Sequence, residues 1–548
     1  MKHGFSIIIS DFQVEISDFT TEENDNFRFQ DNHLEFLLEG ILLNKKKLLQ
    51  EYALQDFKTL ILELYSNKKE NLVKEFEGEF RGFIRDKILN KLYVFTNPTA
   101  TQRIFYTKQN TDIFIDSSLI GLNGRLRRND ITAEPDLASL YQLLSFGNMF
   151  ENRTPIQNVF KLLDGHFLEI DLNSSTFSEK NYFEISNQET YRYSKKKALQ
   201  EVHERFSEAV KLEYEKDSEL HSKHLTQISG GLDSRIAMLY AIRQNLKPDE
   251  AFCFSQSGYL DQKISQKISE DYDIDYRFVP LDKGSFLKNI DRLTEFSEGT
   301  NFYTGSIHVD YAFSKIEKDF RLIHSGQIGG EIMGGSYYIS PTPCKPRLQR
   351  ILGNASFLHH IEESTHKLLN SYEREDIFLL RNWGFNKTVL GAQVARDFAF
   401  TVSPFMQKDF LSFIYSVPHE WKYDYRFYFE WFQKYCPEMG SYIWEKSLMK
   451  PNKFWKIKYG TKYVKPVFAK ISGKISGLQP KSSMYPYQYY FDQSEEIQNY
   501  YQNYFNENIE RLQNFPELRD EVSRLFSSSD FYTKAQAVNI LSIFKLYF

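Results

Sequence analysis

Ser229-Gly230-Gly231-Leu232-Asp233-Ser234 follows an apolar strand-like run (HLTQIS) and directly opens a helix-like run (LDSRIAMLYAIRQN), a placement that constrains the fold more than any other feature. Two adjacent glycines permit a tight path on which successive N–H groups converge, and the following helix adds its positive end. Such a loop holds phosphate oxygens. Ser229 and Ser234 bring hydroxyl donors, and Asp233 brings a carboxylate suited to a Mg²⁺ ion that bridges phosphates. A simple strand-to-helix turn capped by Ser229 is the other reading of these six residues. Neither GK[ST] nor GxGxxG is present, so this is not a Walker loop or a dinucleotide fingerprint.

Beyond the loop, strand and helix alternate: AFCFS, DQKISQKISEDY, YRFVPL and, later, RLIHSG. That order predicts an α/β domain with a parallel sheet, whose ligands bind outside the carboxyl ends of the strands. The run from Lys195 to Leu212 has helical spacing and leads into it. Before residue 185 the chain reads differently, as short strands (FSIIIS, LEFLLEGILL, FRGFIRD, KLYVFTN, RIFYT, DIFIDSS, HFLEIDL) interrupted by one helical stretch from about Leu48 to Tyr65. This predicts an N-terminal α+β sandwich over residues 1–190 and a second domain over 191–548, joined by the polar stretch NYFEISNQETYRYSKKK. After about residue 350 the chain is mostly helical and rich in aromatic and basic residues; the Tyr- and Phe-dense run from Tyr485 to Phe505 reads as helix packing.

The 548 residues carry 68 basic and 73 acidic side chains, a net charge of −5, which offers no broad cationic field for nucleic acid. Small-molecule or peptide substrates fit better. The three cysteines, Cys253, Cys344 and Cys436, form no CxxC and argue against a disulfide framework or structural zinc. No apolar run reaches the ~18 residues of a membrane span, and MKHGFSIIISDF meets charge too early for a secretory signal. The expectation is a cytoplasmic protein with no membrane partner; its oligomeric state stays open.

ISGGLDSR resembles the pyrophosphate loop of the asparagine synthetase family, which includes β-lactam synthetases and lasso-peptide cyclases. Further segments resemble that family in order: GEFRGFIRD (78–86), RTPIQNVFKLLDG (153–165), FSQSGYLD (254–261), SGQIGGEIMGG (325–335), SPFMQKD (403–409) and WEKSLMK (444–450). The resemblance implies an ATP-pyrophosphatase synthetase domain, of the adenine nucleotide alpha hydrolase type, behind a glutaminase-type (Ntn) domain. It implies ATP and Mg²⁺ as cofactors, and a carboxylate that is adenylated and passed to an amine. The backbone near Ile228 and Phe254 would hold adenine; Ser229, Gly230, Gly231, Asp233 and Ser234 the phosphates; Ser325 and Gly326 the ribose and α-phosphate. Lys446 resembles the basic residue that stabilises the activated acyl group, with Lys450 the nearby alternative. Glu331 would be a metal ligand or would orient the nucleophile.

Three departures stand out. Glutamine-hydrolysing members expose a cysteine at the mature N-terminus, whereas this chain begins Met1-Lys2-His3-Gly4 and has its first cysteine at Cys253. No glutaminase nucleophile is therefore expected, and FTNPTATQRIFY (95–106), which lacks the usual Arg-Asp start, suggests a relaxed former site. The second loop carries Gln327 and Gly330 where SGxGxDE has acids. Arg235 stands where many members have a small residue, to contact phosphate or to face solvent.

Overall fold

The computed structural model describes residues 4–21, 23–317, 319–467 and 483–548. Its first part is built from period-two strands: in β1 (Phe5–Ser10), Phe5, Ile7 and Ile9 all point into one core. With β2 (Gln13–Asp18), β3 (Phe27–Gln30), β4 (Leu34–Leu42), β5 (Gly78–Asp86), β6 (Lys91–Thr96), β7 (Phe105–Gln109), β8 (Asp112–Asp116), β9 (Phe160–Lys161), β10 (His166–Asp171) and β11 (Thr176–Asn181), it forms two antiparallel sheets. Their orders are β2-β1-β8-β7-β9 and β11-β10-β6-β5-β4-β3. Leu37, Phe83, Val94 and Leu168 of the second sheet meet Ile7, Ile113 and Ile115 of the first, so the sheets pack face to face.

Helices cover both outer faces. The helical stretch expected from Leu48 to Tyr65 is two helices, α1 (Lys45–Glu51) and α2 (Phe57–Lys68). The chain breaks between them at Ala53, with φ of 53°, and restarts where the Asp56 carboxylate caps the Thr59 N–H. Phe57, Leu60, Ile61 and Leu64 lie on Phe36 and Leu38 of the second sheet. The first sheet is covered by two helices that sequence reasoning missed, α3 (Leu119–Arg128) and α4 (Leu137–Phe146). Buried along most of its length, α4 has no polar face to show a helical period.

The segment 95–106 is held in place by its own polar side chains. Asn97 donates to Thr99 and Thr101 at 2.9 Å each, and Gln102 and Thr101 both donate to the buried Glu79. Burial pushes the Glu79 carboxyl up to about 7 against those hydrogen bonds. From the same segment the buried Arg103 crosses into the second half of the chain, donating at 2.9 Å to Ser297 O and Thr300 Oγ1.

In the second half, α5 (Lys195–Glu219) leads into β12 (Leu225–Gln227), α6 (Leu232–Arg243), β13 (Glu250–Ser255), α7 (Leu260–Asp271), β14 (Asp275–Pro280), β15 (Leu322–His324) and β16 (Phe400–Val402). All five strands are parallel, in the order β14-β13-β12-β15-β16. β16, only three residues long and far along the chain, was not legible in sequence. Because β12 has β13 on one side and β15 on the other, the strand order reverses there, opening a crevice at the carboxyl ends of β12 and β15. The aromatic run from Tyr485 does pack: Tyr487, Tyr490, Phe491, Tyr501 and Tyr504 are buried, and the Tyr303 and Tyr501 hydroxyls bond at 2.5 Å. Cys253 and Cys436 are buried free thiols; Cys344 is free and partly buried.

Candidate active site

The first glycine-rich loop leaves β12 and enters α6 at the crevice, as its position in the sequence predicts. Ile228 closes the strand, its N–H on Phe252 O at 2.9 Å. The loop is held by its own polar groups: Gly231 N–H donates to Ser229 Oγ at 3.1 Å, and Ser229 N–H to Ser234 Oγ at 3.3 Å. Gly230 N–H donates to the Asp261 carboxylate at 2.6 Å. A Cβ at Gly230 would lie 2.8 Å from both Asp261 Oδ1 and Glu445 Cβ, so only glycine fits between them. Asp261, in the first turn of α7, is a loop anchor that sequence reasoning matched within a segment but did not single out.

Arg235 neither faces solvent nor reaches the crevice. It is fully buried and donates to Gly231 O at 2.7 Å, Gly230 O at 2.6 Å and Ile443 O at 3.1 Å. Burial lowers the guanidinium to about 10 while leaving it charged at neutral pH. Its planar fork ties the backbone of the glycine loop to the segment that precedes Lys446. The loop also meets that segment directly, through Glu445 N–H to Gly230 O at 3.1 Å.

The second loop leaves β15 and packs on the first. At Gly326 an added Cβ would fall 2.3 Å from Asp233 C and from Ser234 N, so glycine here permits backbone-to-backbone contact between the loops. The Ser325 hydroxyl is engaged with Val402 O at 2.9 Å, which fixes the loop to β16. Ile328 adopts φ of 56°, an uncommon region for a β-branched residue, and its side chain is buried. Phe254, at the end of β13, is buried with its ring 5.9 Å from that of His308.

Three charged groups converge on the crevice. Burial, and then the nearby charge of Glu331, push the Asp233 carboxyl up to about 7, while hydrogen bonds from Tyr428 and the Gly330 N–H and the charge of Lys446 oppose the rise. Tyr428 Oη donates to Asp233 Oδ1 at 2.6 Å. Lys446 Nζ bonds the Tyr425 hydroxyl and sits 4.7 Å from that ring's centroid. Lys450, by contrast, is exposed. The two tyrosines come from the start of the helix Arg426–Tyr435 and were missed; YDYRFYFEW carries no signal that separates a site tyrosine from a core one.

Gly330, one of the departures, stands beside Asp233. Its Cβ position lies 3.3 Å from Asp233 Oδ2, so an aspartate there would set a second carboxylate against Asp233. Without it, Asp233 and Glu331 are the carboxylates the two loops bring to the crevice. The mutual repulsion of these two groups is what a divalent cation would relieve, and oxygen ligands of this kind suit Mg²⁺. The residues therefore fit a magnesium-bound polyphosphate: Asp233 and Glu331 for the metal, and for phosphate the Ser229 and Ser234 hydroxyls with the first-turn N–H groups of α6, which have no intrahelical partner.

Beneath β15 lies a separate buried cluster. The Asp217 carboxylate accepts from His324 Nε2 at 2.6 Å and pairs with His224 Nδ1 at 3.0 Å, and Glu213 Oε2 lies 3.6 Å from His324 Nδ1. These are direct hydrogen-bond and ion-pair separations. They tie α5 to the strand that carries the second loop.

Residues 201–396 match the family described as asparagine synthase. No curated protein sequence matches the chain. Among solved structures, the glutamine phosphoribosylpyrophosphate amidotransferase from B. subtilis complexed with ADP and GMP is similar over 50% of this chain and 59% of its own, at 12% identity and a TM-score of 0.21. A structure of the allosteric regulatory enzyme of purine biosynthesis is similar over 50% of this chain and 74% of its own, at 9% identity and a TM-score of 0.23. Four strands of the parallel sheet, β12 to β15, and both glycine-rich loops fall within the residues 201–396 that match the asparagine synthase family.

Proposed function

We propose that the protein is an ATP-dependent ligase that adenylates a carboxylate and transfers the acyl group to an amine, releasing AMP and pyrophosphate. The observation that carries this reading is the contact of the two loops at Gly326, which sets Asp233, Glu331 and Lys446 around one crevice at the strand-order reversal. In the reaction, a carboxylate oxygen attacks the α-phosphorus as the bond to pyrophosphate breaks. The amine then attacks the acyl carbon, AMP leaves, and the nitrogen loses a proton. Bound Mg²⁺ would supply charge neutralisation for the phosphates. The chain's own residues hold the reactants: the first loop grips phosphate, Asp233 and Glu331 would hold the metal, and Lys446 faces the charge that develops at the acyl phosphate.

Because the first half presents no cysteine for glutamine hydrolysis, the amine in this reading is free ammonia, a substrate amino group or a peptide N-terminus. A tailoring role in natural-product or peptide synthesis follows. ATP–pyrophosphate exchange dependent on a carboxylate and abolished by Asp233→Ala is the expected result; unchanged exchange in that variant overturns the reading. Asparagine formation is the case in which aspartate alone stimulates AMP release. The loss of a loop acid at Gly330 favours a second reading, a nucleotide-binding relative without turnover, which would bind Mg·ATP and form no AMP with any carboxylate.

A further inference from the structure

Between residues 446 and 467 the chain carries seven lysines and no aspartate or glutamate, although its overall charge is −5. Most of this stretch is continuously helical, Phe454–Tyr459 followed by a π-turn over Gly460–Val464 and by helical backbone at residues 465–467. One face anchors it. Ile457 is buried, Phe454 packs on Phe429 at 6.0 Å, and Gly460 lies so close to Ser447 O that a Cβ would approach within 2.2 Å.

The opposite face shows Trp455, Tyr459, Tyr463 and Val467, each four residues from the last and each at least half exposed. At 3.6 residues per turn a four-residue spacing drifts around the helix, and the wider π-turn takes up that drift, keeping the stripe in line. Lysines flank it. Lys458 pairs with Asp424 and Lys465 with Glu445, whereas Lys453 and Lys462 are exposed and reach no carboxylate among the described residues. Exposed aromatic residues along one line, with uncompensated lysines beside them, are the signature of a helix that lies in a membrane interface: rings at headgroup depth, cations on anionic lipid.

We propose that the helical stretch 454–467 docks the protein on an anionic lipid surface. The charge selects lipid phosphate, and the aromatic stripe adds apolar contact that a purely polyanionic partner would leave unused. Since Gly460 rests on the segment that carries Lys446, docking sets the active-site crevice beside the bilayer. The sequence expectation of no membrane partner rested on spanning runs; among the described residues no helix is long and apolar enough to cross a membrane. A helix lying on the surface needs none.

The docking does not depend on the ligase reading, and the test separates them. The full chain is sedimented with vesicles of phosphatidylcholine alone or mixed with phosphatidylglycerol, with Trp455 fluorescence followed in parallel. Salt-sensitive binding to the mixed vesicles and a blue shift are expected. Lys453→Gln/Lys462→Gln should weaken binding about thirtyfold, at roughly a factor of five per lysine, and Trp455→Ser/Tyr459→Ser/Tyr463→Ser should abolish the residual association. All these side chains are exposed, and Mg·ATP binding reports that the variants stay folded. Wild type that ignores mixed vesicles, or variants that bind them equally well, overturns the proposal. Binding of poly-glutamate but not of vesicles, lost in the same variants, also overturns it and assigns the helix to an acidic peptide. Vesicle binding without ATP–pyrophosphate exchange leaves the docking standing and removes the ligase reading.

Discussion

Gly326→Ala tests whether the contact between the two loops matters. Gly326 has no positive φ, so alanine is acceptable to the backbone and the whole effect comes from contact. The new Cβ would lie 2.3 Å from Asp233 C and Ser234 N, against the 3.4 Å at which ordinary contact begins, so the loops must part by about 1 Å. Both obstacles are backbone atoms, and no rotamer change relieves them. Overpacking of this kind costs about 1–3 kcal/mol. At about 2.1 cal/mol/K per residue, the chain unfolding as one unit has an entropy near 1.2 kcal/mol/K, so the melting temperature falls by only about 1–3 °C. Activity is the sharper readout, because a 1 Å misplacement of reacting groups costs about a hundredfold. ATP–pyrophosphate exchange and calorimetric Mg·ATP titration are compared with Gly124→Ala, where an added Cβ meets nothing within 4 Å. Exchange and affinity within about twofold of wild type in Gly326→Ala would refute the argument.

Three charged groups, Asp233, His324 and Lys446, give further predictions. Asp233 has a folded pKa raised to about 7 from 3.8, so the folded state holds an extra proton between those values and the Mg²⁺-free protein loses stability as pH rises through them. Asp233→Asn should flatten that slope in melting curves taken from pH 4 to 8 while Mg·ATP binding is lost; an unchanged slope contradicts the assignment. At His324, burial lowers the pKa but the charge and hydrogen bonds of Asp217 and Glu213 outweigh it and hold it at about 9. Its contribution is therefore full below pH 6.5 and lost as pH rises through 9. His324→Asn should cost about 3–5 kcal/mol in denaturant unfolding at pH 6, because it strands buried carboxylates, and the gap to wild type should narrow at pH 10. Lys446→Met should lower kcat by about 10²–10³ and leave Mg·ATP titrations close to wild type, whereas Lys450→Met, at an exposed position, should leave both unchanged.

Much of the fold is legible because short-range chemistry dictates it. The short apolar runs of β1 and β4, the glycine-rich turn between β12 and α6, and the alternation through β14 depend on neighbours within a few residues. α4 was lost because burial along most of its length erases the helical period, and β16 because three residues carry no pattern. The first loop, Glu331 and Lys446 stand out in sequence through their motifs, and the fold brings them to one crevice. The partners that complete the site were not: Tyr428 and Tyr425 are indistinguishable in sequence from the core aromatics around them, and Asp261 anchors a loop some thirty residues away through one hydrogen bond.

The sequence by itself determined that the chain pairs an antiparallel sandwich with a parallel α/β sheet, and that a glycine-rich loop stands at a strand's carboxyl end. It could not decide what Arg235 does. A guanidinium after such a loop suits phosphate or solvent equally well on local grounds, and only the return of Ile443 to the loop, more than 200 residues later, turns it inward to backbone carbonyls. The same holds for Asp233. Its residue type suggests a metal ligand, but its proton affinity is set by burial and by Glu331, which the reversal of strand order brings across from β15. Charges and close contacts depend on distance in space, and the sequence fixes those distances only once the whole sheet has closed.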